Sequence, residues 1–387
     1  MNFLFHMLMK YSKRFSLIFL TLLLALSWSC NDRVSSDFPN FPENNNEEPF
    51  SYPDFFYGAD LSYVNEMYDC GAVYYDNNNT QKDVYEIFFN EGVNLARYRL
   101  WHNPQWTNYS NLNDVKKSIK RAKDVGFFVL LDFHYSDTWA DPGKQTIPAA
   151  WLSLVNDTPA LAQELYDYTY EVLDELYKEG LAPDIVQVGN EINPMILQQG
   201  ELSWPIDWNR NATLLNKAIT AIRDFSQDKD KVIEIMLHIA QPENGLWWFD
   251  QATEAGITNY DWIGISYYPV WSDYTISNIK QPLKTLVDSY NKKLMIVETA
   301  YPFTLNYNDT QGNILGQSAI LDGYPATEQG QLNFLTALTA EVKKAGGTGV
   351  VYWEPAWVST TCKSAWENAT LFDFDRAPTL GMQFFNQ

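Results

Sequence analysis

Eight short apolar runs recur along the chain, and stretches with a helical repeat separate them. Within each run apolar residues follow one another almost without interruption, which is the pattern of a parallel strand that is buried on both faces. A chain that alternates such strands with helices forms an α/β fold, because the helices cover the apolar faces of the sheet. The runs lie at residues 56–61, 93–101, 127–134, 184–190, 231–239, 262–268, 294–298 and 349–354.

The stretch at 157–180 shows why the intervening segments are predicted to be helices. Asp157 or Thr158 can cap its start, and Pro159 suits a first helical turn. Apolar residues then recur at helical spacing, so that they line one face. The same plan recurs at residues 114–126 and 327–346.

Eight strands favour a closed barrel over an open sheet. A doubly wound open sheet usually carries a glycine-rich phosphate turn after its first strand, and GADLSYVNEM, the segment at that place, has no such turn. The roughly 330 residues available exceed the ~250 of a typical barrel, which leaves room for long loops at the carboxyl face. We therefore predict a single α/β domain, a (β/α)8 TIM barrel, over residues 54–387.

The first 53 residues are predicted to lie outside the barrel. Residues 1–29 have the pattern of an export signal, because basic residues precede an apolar stretch that is too short for the ~20-residue span of a membrane helix. The stretch ends in LSWSC, which resembles the lipobox of bacterial lipoproteins, so we expect Cys30 to carry a lipid. Residues 30–53 are rich in Asn, Pro, Ser and acidic residues, which predicts a flexible tether.

These features predict an exported protein that a lipid anchors at the bacterial outer membrane or cell surface. An ordinary secretory signal is the alternative, and it would give a secreted or periplasmic protein.

The charge of the chain excludes polyanionic partners. The net charge is −21, and it moves to −24 without residues 1–29, which contain three basic and no acidic residues. Nucleic acid and an anionic membrane surface would repel such a chain, whereas a neutral polysaccharide would not. We expect no nucleic-acid partner, and contact with a membrane only through the lipid anchor.

Polar and aromatic residues stand where the predicted strands end, which is where barrels of this kind carry their active sites. Two glutamates are prominent among them, Glu191 after the fourth strand and Glu298 after the seventh. Two carboxyl groups that face each other can split a glycosidic bond, one as proton donor and the other as nucleophile or base. The strand ends carry Asp60, Arg97, Arg99, Trp101, Asp132, His134, Asn190, Glu191, His238, Tyr267, Tyr268, Glu298, Trp353 and Glu354.

Six segments together resemble glycoside hydrolase family 53, the endo-β-1,4-galactanases, which belong to the retaining clan A of β/α barrels. The similarity covers essentially all of residues 55–387. Each segment alone is a weak signal, but six in the right order are a strong one. They are GVNLARYRLWHNP, LLDFHYSDTWADPGKQTIPAAW, VQVGNEINPMIL, IGISYYPVW, IVETAYP and VVYWEPAW.

The resemblance implies that Glu191 is the general acid/base and Glu298 the nucleophile, while Asn190 would hydrogen-bond the sugar 2-hydroxyl. A nearby arginine would hold the pKa of the nucleophile down, and the anionic nucleophile would hold the pKa of the acid up. We choose Arg99 over Arg97 for this support, because Arg99 lies nearer the strand end.

Aromatic residues make up 16% of the chain, more than a core usually requires, which suggests surfaces that bind sugars. Packing beneath a loop is the alternative role for each tryptophan. By the resemblance, the predicted substrate-binding residues beside Asn190 and Arg99 are Asp60, His134, Tyr268 and Trp353, with Trp101, Trp139 and Trp357 in flanking subsites.

Metal chemistry is disfavoured. After the signal only His102, His134 and His238 remain, and none are paired at ligand spacing, which argues against a zinc or binuclear site. Some members of the family carry a structural calcium after strand seven. The corresponding LNYNDTQGNILG offers one carboxylate, Asp309, among neutral oxygens such as that of Asn313, a thin set for a hard cation. We expect no required cofactor, and these two residues are weak calcium candidates.

Two cysteines remain when Cys30 is set aside, Cys70 after the first strand and Cys362 after the eighth. First and last strands are neighbours in a closed barrel, so a disulfide between these loops is geometrically reasonable.

The activity so implied is endo-acting, retaining hydrolysis of β-1,4-galactosidic bonds in galactan or arabinogalactan type I side chains of pectin, carried out by a monomer. One alternative is a clan relative that acts on another β-1,4-glycan, such as mannan or xylan. The other is a glycan-binding lipoprotein without catalysis, against which the retention of both glutamates argues.

Overall fold

The structure of the protein is a computed structural model that describes residues 51–387. The predicted signal peptide at 1–29, the lipidation site Cys30 and nearly all of the tether at 30–53 lie outside the described residues. Pro53–Gln387 form one compact unit.

Eight parallel strands close into a barrel, as the eight apolar runs predict. Each strand pairs with the next along the chain, and the last pairs with the first. The fold class is thereby confirmed. The strands are β1 (Phe56–Asp60), β2 (Leu95–Leu100), β3 (Phe128–Phe133), β4 (Ile185–Val188), β5 (Glu234–Ala240), β6 (Trp262–Ser266), β7 (Lys293–Thr299) and β8 (Gly349–Tyr352).

Eight α-helices of the described residues surround the barrel, and a short antiparallel pair, Tyr74–Tyr75 with Gln81–Lys82, lies outside it. The helices are α1 (Val64–Asp69), α2 (Val84–Asn90), α3 (Leu112–Val125), α4 (Thr158–Lys178), α5 (Trp208–Lys229), α6 (Pro242–Glu254), α7 (Lys280–Tyr290) and α8 (Glu328–Ala345). None of the helices among residues 51–387 is long and apolar enough to cross a membrane.

Local capping explains where the predicted helices begin and end. The Asp157 side chain accepts a hydrogen bond from the Ala160 N–H at the start of α4, and Thr327 caps α8 in the same way. Each bond satisfies one of the N–H groups that the first helical turn leaves free. Gly346 ends α8 in the left-handed conformation that glycine adopts at low cost.

The strands are buried on both faces, and the inward-facing side chains change character along the barrel axis. At the amino end the interior is apolar, where the ring of Phe56 lies 5.6 Å from Phe128 and 5.8 Å from Trp262. At the carboxyl end the same strands carry charged side chains, among them Arg97 and Arg99 of β2. The apolar layer closes the floor of the barrel, and the polar layer above it faces the long loops.

A disulfide joins the loops that follow the first and the last strand of the barrel. Cys70 follows α1 and Cys362 lies in the loop after β8, and a disulfide links them with a Cα–Cα distance of 5.8 Å. The link spans 292 residues of sequence and fastens the loops of the two strands at which the barrel closes.

We expect a Cys70→Ser/Cys362→Ser variant to lose about 2–4 kcal/mol of unfolding free energy, because a cross-link over a long loop restricts the unfolded chain. Unfolding in guanidinium chloride without reductant measures the difference. Dithiothreitol should lower the midpoint of the wild type to that of the variant and leave the variant unchanged. Equal midpoints for oxidised wild type and variant would contradict a stabilising bond.

Candidate active site

A cleft of about 720 Å³ opens at the carboxyl end of the barrel, which is the size range of sites for small ligands. Both glutamates lie in it, together with nearly all of the predicted substrate-binding residues. The predicted residues that line the cleft are Asp60, Arg99, His134, Trp139, Asn190, Glu191, Tyr268, Glu298, Trp353 and Trp357.

Arg97 is the central cation beneath the cleft. The side chain is 1% exposed, and its guanidinium contacts groups from four other strands or strand ends. Burial alone would lower the pKa of Arg97, but the surrounding carboxylates raise it above its usual value, so the group stays charged. Its contacts are Asp60 Oδ2 at 2.7 Å, Glu298 Oε1 at 2.8 Å, Asp132 Oδ2 at 2.8 Å, Asn190 Oδ1 at 2.8 Å and Gln187 Oε1 at 3.2 Å.

The choice of Arg99 as the partner of Glu298 is therefore wrong, since Arg97 makes that contact. Both arginines face the interior, as a repeat of two along β2 requires. Arg99 stands one layer nearer the rim, where its Nη1 donates to Glu354 Oε1 at 2.6 Å. The strands of a barrel are tilted against its axis, so residues equally far from the ends of β2 and β7 lie at different heights in the barrel. Nearness to the strand end therefore does not tell which arginine of β2 meets Glu298.

Arg99 is held between rings as well as by its ion pair. Its guanidinium carbon lies 4.3 Å from the ring centre of Tyr63, 4.5 Å from that of Trp139 and 5.0 Å from that of Trp101. Glu354 also accepts a hydrogen bond from the Tyr63 N–H at 3.1 Å. Arg99 thus supports the aromatic side of the cleft.

Glu191 is presented by a tight turn at the end of β4. Gly189 has φ +82°, and a Cβ there would lie 2.4 Å from Cγ2 of Ile192, so only glycine fits. Glu191 itself has φ +43°, a left-handed conformation that is uncommon for a residue with a side chain. The turn lifts the Glu191 carboxyl out of the strand and into the cleft.

A chain of hydrogen bonds leads from the barrel interior to Glu191. The Ser266 hydroxyl at the end of β6 donates to Glu191 Oε1 at 2.6 Å. Ser266 Oγ lies 2.8 Å from Nε2 of His238, a buried residue of β5. Nδ1 of His238 in turn lies 3.0 Å from Gln187 Nε2 and 3.3 Å from the backbone nitrogen of Glu191.

These contacts define which ring nitrogen of His238 carries the hydrogen. Nδ1 faces two donors, Gln187 Nε2 and the Glu191 N–H, and one acceptor, Asn190 Oδ1 at 3.0 Å, which already accepts from Arg97. Because the Ser266 hydroxyl gives its hydrogen to Glu191, Ser266 Oγ accepts from His238, which assigns the ring hydrogen to Nε2 and leaves Nδ1 as an acceptor. Burial and the charge of Arg97 lower the pKa of His238 well below its usual value, so the ring is neutral. Each hydrogen bond in the chain is therefore donated in the direction of Glu191, from Gln187 to His238, from His238 to Ser266 and from Ser266 to Glu191 Oε1.

Burial raises the pKa of both glutamates. That of Glu191 rises to about 7, although the hydrogen bond from Ser266 opposes the rise. For Glu298, burial and the charge of Glu191 raise the pKa to about 8, and Arg97 opposes the rise. The expectation that an arginine holds the pKa of Glu298 down is thus wrong in sign, because burial outweighs the ion pair. The pair holds a proton near neutral pH.

Glu298 and Asn190 are each fixed by further contacts. The Tyr268 hydroxyl lies 3.4 Å from Glu298 Oε2, on the side away from Arg97. Burial raises the pKa of Tyr268 well above its usual value, so the phenol keeps its proton and donates. The Asn190 amide nitrogen donates to the Ala140 carbonyl at 2.8 Å, which sets the orientation of its side chain.

Two predicted substrate-binding residues serve mainly as supports. Asp60 accepts from Arg97 with Oδ2 and from the Ser62 hydroxyl with Oδ1 at 2.6 Å, so both of its oxygens have protein partners. His134 lies 3.2 Å from Asp132 Oδ2 through Nε2 and accepts from the Ala140 N–H through Nδ1.

One side of the cleft is an aromatic wall, formed by Tyr63, Trp139, Trp353 and Trp357. The rings of Tyr63 and Trp357 stack at 3.9 Å and 14°. Such partly exposed rings in a cleft can bind the apolar face of a sugar. The wall contains three of the four predicted tryptophans.

The prediction that Trp101 stacks on substrate is wrong. Trp101 is 1% exposed and does not line the cleft, because Trp106 at 4.9 Å and Trp139 at 5.2 Å cover it. The chain leaves β2 at Leu100, so the repeat of two no longer sets the direction of the next side chain.

Of the two candidate ligands in the predicted calcium loop, the Asp309 carboxylate has partners within the protein and the Asn313 side-chain oxygen has none. Asp309 accepts from the Gln311 N–H, the Ser359 hydroxyl and the Ser364 N–H, and these donors occupy both carboxylate oxygens. The Asn313 amide nitrogen donates to the Asn306 carbonyl at 3.4 Å, whereas its buried side-chain oxygen has no hydrogen-bond partner. No group of three His, Cys, Asp or Glu that could hold a metal occurs among residues 51–387.

Sequence reasoning missed several residues of the site. Ser266 could have been found, because it precedes the predicted Tyr268 by two positions and faces the same way. Gln187 lies one layer deeper in the barrel and carries no motif of its own, and His238 is named among the strand-end residues but given no role. Tyr63 immediately precedes α1, and Asn244 lies in the first turn of α6. Both come after a strand has ended, so the repeat of two along a strand does not predict where their side chains point.

Comparison with known proteins identifies relatives over the barrel. Residues 56–385 match the model of glycosyl hydrolase family 53. An arabinogalactan endo-β-1,4-galactanase of Cellvibrio japonicus is 53% identical over 330 residues, which cover 83% of this chain and 87% of that protein. An endo-β-1,4-galactanase of Bacillus subtilis is 36% identical over 79% of this chain and 71% of its own length.

Solved structures agree with the sequence relatives. A GH53 catalytic domain of Ignisphaera aggregans aligns with a TM-score of 0.79 at 33% identity, covering 87% of this chain and 97% of that chain. A structure of fungal β-1,4-galactanases aligns with a TM-score of 0.75 at 32% identity, covering 86% and 99%. The match extends over nearly all of the barrel that holds the two glutamates, and the chain belongs to glycosyl hydrolase family 53.

Proposed function

We propose that this chain is an endo-acting, retaining glycoside hydrolase that cleaves β-1,4-galactosidic bonds in galactan or arabinogalactan type I, the side chains of pectin. The observation that carries the proposal is the pair of buried glutamates, one bonded to Arg97 and the other to Ser266, at the bottom of a cleft with an aromatic wall. The names of the family relatives support galactan as the substrate.

Glu191 donates the proton in the first step. Its Oε1 is occupied by the Ser266 hydroxyl, so the proton resides on Oε2 and passes from there to the glycosidic oxygen. Burial lets the pair hold one proton near neutral pH, and the contact of Glu298 with Arg97 favours the place of this proton on Glu191. As the bond between the anomeric carbon and this oxygen breaks, the leaving sugar departs as an alcohol.

Glu298 attacks in the same step. Its contact with Arg97 favours the ionised form at Glu298 over Glu191, whose nearest partner is a neutral hydroxyl. A Glu298 oxygen forms an ester bond to the anomeric carbon, and the negative charge of the nucleophile disappears. The pKa of Glu191 then falls, so Glu191 can take a proton from water as the water attacks the ester. Two displacements retain the anomeric configuration.

Asn190 completes the mechanism beside the reacting sugar. Arg97 and the Ala140 carbonyl fix its amide, and the amide is the group that we assign to the sugar 2-hydroxyl. No cofactor is needed for these steps, because the chain supplies both the acid and the nucleophile. All of these residues come from one chain, so we propose that a monomer is active.

We expect the wild type to release sugars from β-1,4-galactan and not from xylan or mannan. Glu191→Gln and Glu298→Gln should each lose at least about 10³-fold in kcat/KM, because each removes a group that forms or breaks a bond in the transition state. Reducing-sugar release measures the rates, and NMR of the first products should show the β-anomer.

Circular dichroism of both variants controls for folding. Cleavage of xylan or mannan instead of galactan would support the clan-relative alternative. Binding of galactan by the wild type without cleavage would identify a glycan-binding protein and contradict the mechanism.

Ser266→Ala should move the basic limb of the kcat/KM profile to higher pH by about one unit. The Ser266 hydroxyl stabilises ionised Glu191, so its loss raises the pKa of Glu191, and the acid keeps its proton to higher pH. Ser266→Thr retains a hydroxyl and should keep the profile of the wild type. A basic limb that is the same in Ser266→Ala and wild type would show that this hydrogen bond does not tune Glu191.

We also propose that the protein is exported and lipid-anchored through Cys30 at the outer membrane or cell surface. The support is the sequence alone, an export signal at 1–29 that ends in LSWSC. A tether of 24 residues would place the barrel away from the membrane.

Cys30→Ala should release the protein from the membrane fraction of its host into a soluble fraction, because no lipid can be attached. Fractionation and immunoblotting follow the change, and mass spectrometry of the wild type should find a diacylglyceryl group on Cys30. A wild-type protein that is already soluble would indicate ordinary secretion.

A further inference from the structure

Two exposed tryptophans lie together on the carboxyl face, outside the aromatic wall. Trp204, in the loop between β4 and α5, is 56% exposed, and Trp247, in the second turn of α6, is 38% exposed. Their ring centres are 6.3 Å apart at 61°. We call them the tryptophan pair. Large apolar side chains grouped at a protein surface mark binding sites more often than isolated ones do.

The tryptophan pair is continuous with the cleft. Trp247 donates from Nε1 to the side-chain oxygen of Asn244 at 3.3 Å, and Asn244 lines the cleft. The Asn244 amide nitrogen in turn donates to the carbonyl of Ala240, the last residue of β5, at 2.9 Å. The surface therefore runs from the end of β5 through Asn244 to the exposed indoles.

The loop that carries Trp204 is built to hold a defined shape. Gln198 is buried, and its side chain accepts from the Ser203 N–H at 2.8 Å and donates to the Met195 carbonyl at 2.6 Å. A fixed loop orders an exposed tryptophan before a ligand arrives, which reduces the entropy cost of binding.

The position of the tryptophan pair relative to Glu191 indicates which part of a substrate it meets. The proton donor bonds to the leaving-group oxygen, so the leaving sugars lie beside Glu191, just after β4. The tryptophan pair follows β4 and the neighbouring β5. The aromatic wall is formed by loops after β1, β3 and β8, on the other side of the cleft, where it meets the sugars on the non-reducing side of the cut.

We propose that the tryptophan pair is a binding site for the leaving-group portion of a neutral β-1,4-linked galactan chain, beyond the sugars next to the cut. The indole faces stack on the apolar faces of galactose rings. A neutral chain meets no repulsion from a protein of net charge −21. This inference rests on the proposed function and deepens it, because it makes polymer length on one side of the cut a determinant of rate.

The test compares two substrates, polymeric β-1,4-galactan and 4-nitrophenyl β-1,4-galactobioside. The polymer reaches the tryptophan pair, whereas the nitrophenyl group ends beside Glu191. We expect Trp204→Ala/Trp247→Ala to lower the ratio of kcat/KM on polymer to kcat/KM on the aryl glycoside by about tenfold, the loss of one or two stacking contacts.

Two further variants control the result. Trp204→Phe keeps an aromatic face and should retain most of the wild-type ratio. Phe89→Ala removes an exposed aromatic ring that contacts Phe127 just before β3, at the opposite end of the barrel, and should leave the ratio unchanged.

A binding measurement separates this inference from the catalytic proposal. In a Glu191→Gln/Glu298→Gln background, affinity electrophoresis in galactan should show weaker retardation when both tryptophans are replaced. If the wild type does not cut galactan, the proposed function fails. If the wild type cuts galactan and the tryptophan variant keeps both the wild-type ratio and the wild-type retardation, the proposed function stands and the inference about the tryptophan pair is overturned.

Discussion

A single buried guanidinium organises the carboxyl end of this barrel. Arg97 contacts carboxylates from β1, β3 and β7 and amides at β4, so one side chain joins four other parts of the sheet. Removing a charge of this kind from water is costly, and only a full set of partners offsets it. The partners depend equally on Arg97, because three carboxylates packed without a cation would repel one another. The position of Glu298, the proposed nucleophile, therefore follows from the same interaction that stabilises the interior of the barrel.

Burial raises the pKa of both glutamates, and their neighbours make the two carboxyls different. Glu298 meets a permanent positive charge, and Glu191 meets a neutral hydroxyl at the end of a chain of donors. Burial alone would leave two carboxyls with similar affinity for one proton, and a site with no defined acid. The contrast between ion pair and hydroxyl supplies the asymmetry that the proposed two-step mechanism needs. Glu191 also occupies a left-handed turn, so the fold accepts local strain to present the proposed proton donor.

The architecture could be predicted from the sequence because strand and helix patterns are local. Eight apolar runs indicate eight strands, and polar residues at their ends indicate the site. The choice between Arg97 and Arg99 could not be made in this way, because strand tilt decides which layer of β2 meets β7. The prediction for Trp101 is wrong for a related reason. Trp101 lies just after the end of β2, and packing against Trp106 and Trp139 sets the direction of its side chain. Local patterns thus predicted which residues gather, and tertiary geometry decided their partners.

The aromatic wall joins residues from opposite ends of the chain. Tyr63 follows the first strand and Trp357 follows the last, and their rings stack at 3.9 Å beside the seam at which the barrel closes. Contacts so distant in sequence form late, because the intervening chain must first be ordered. A chain still being synthesised has both glutamates before it has the second half of this wall. The wall therefore forms only when the polypeptide is nearly complete, and a product that lacks the 35 residues after β8 would carry both glutamates on a barrel whose closing strand has lost the loop that follows it.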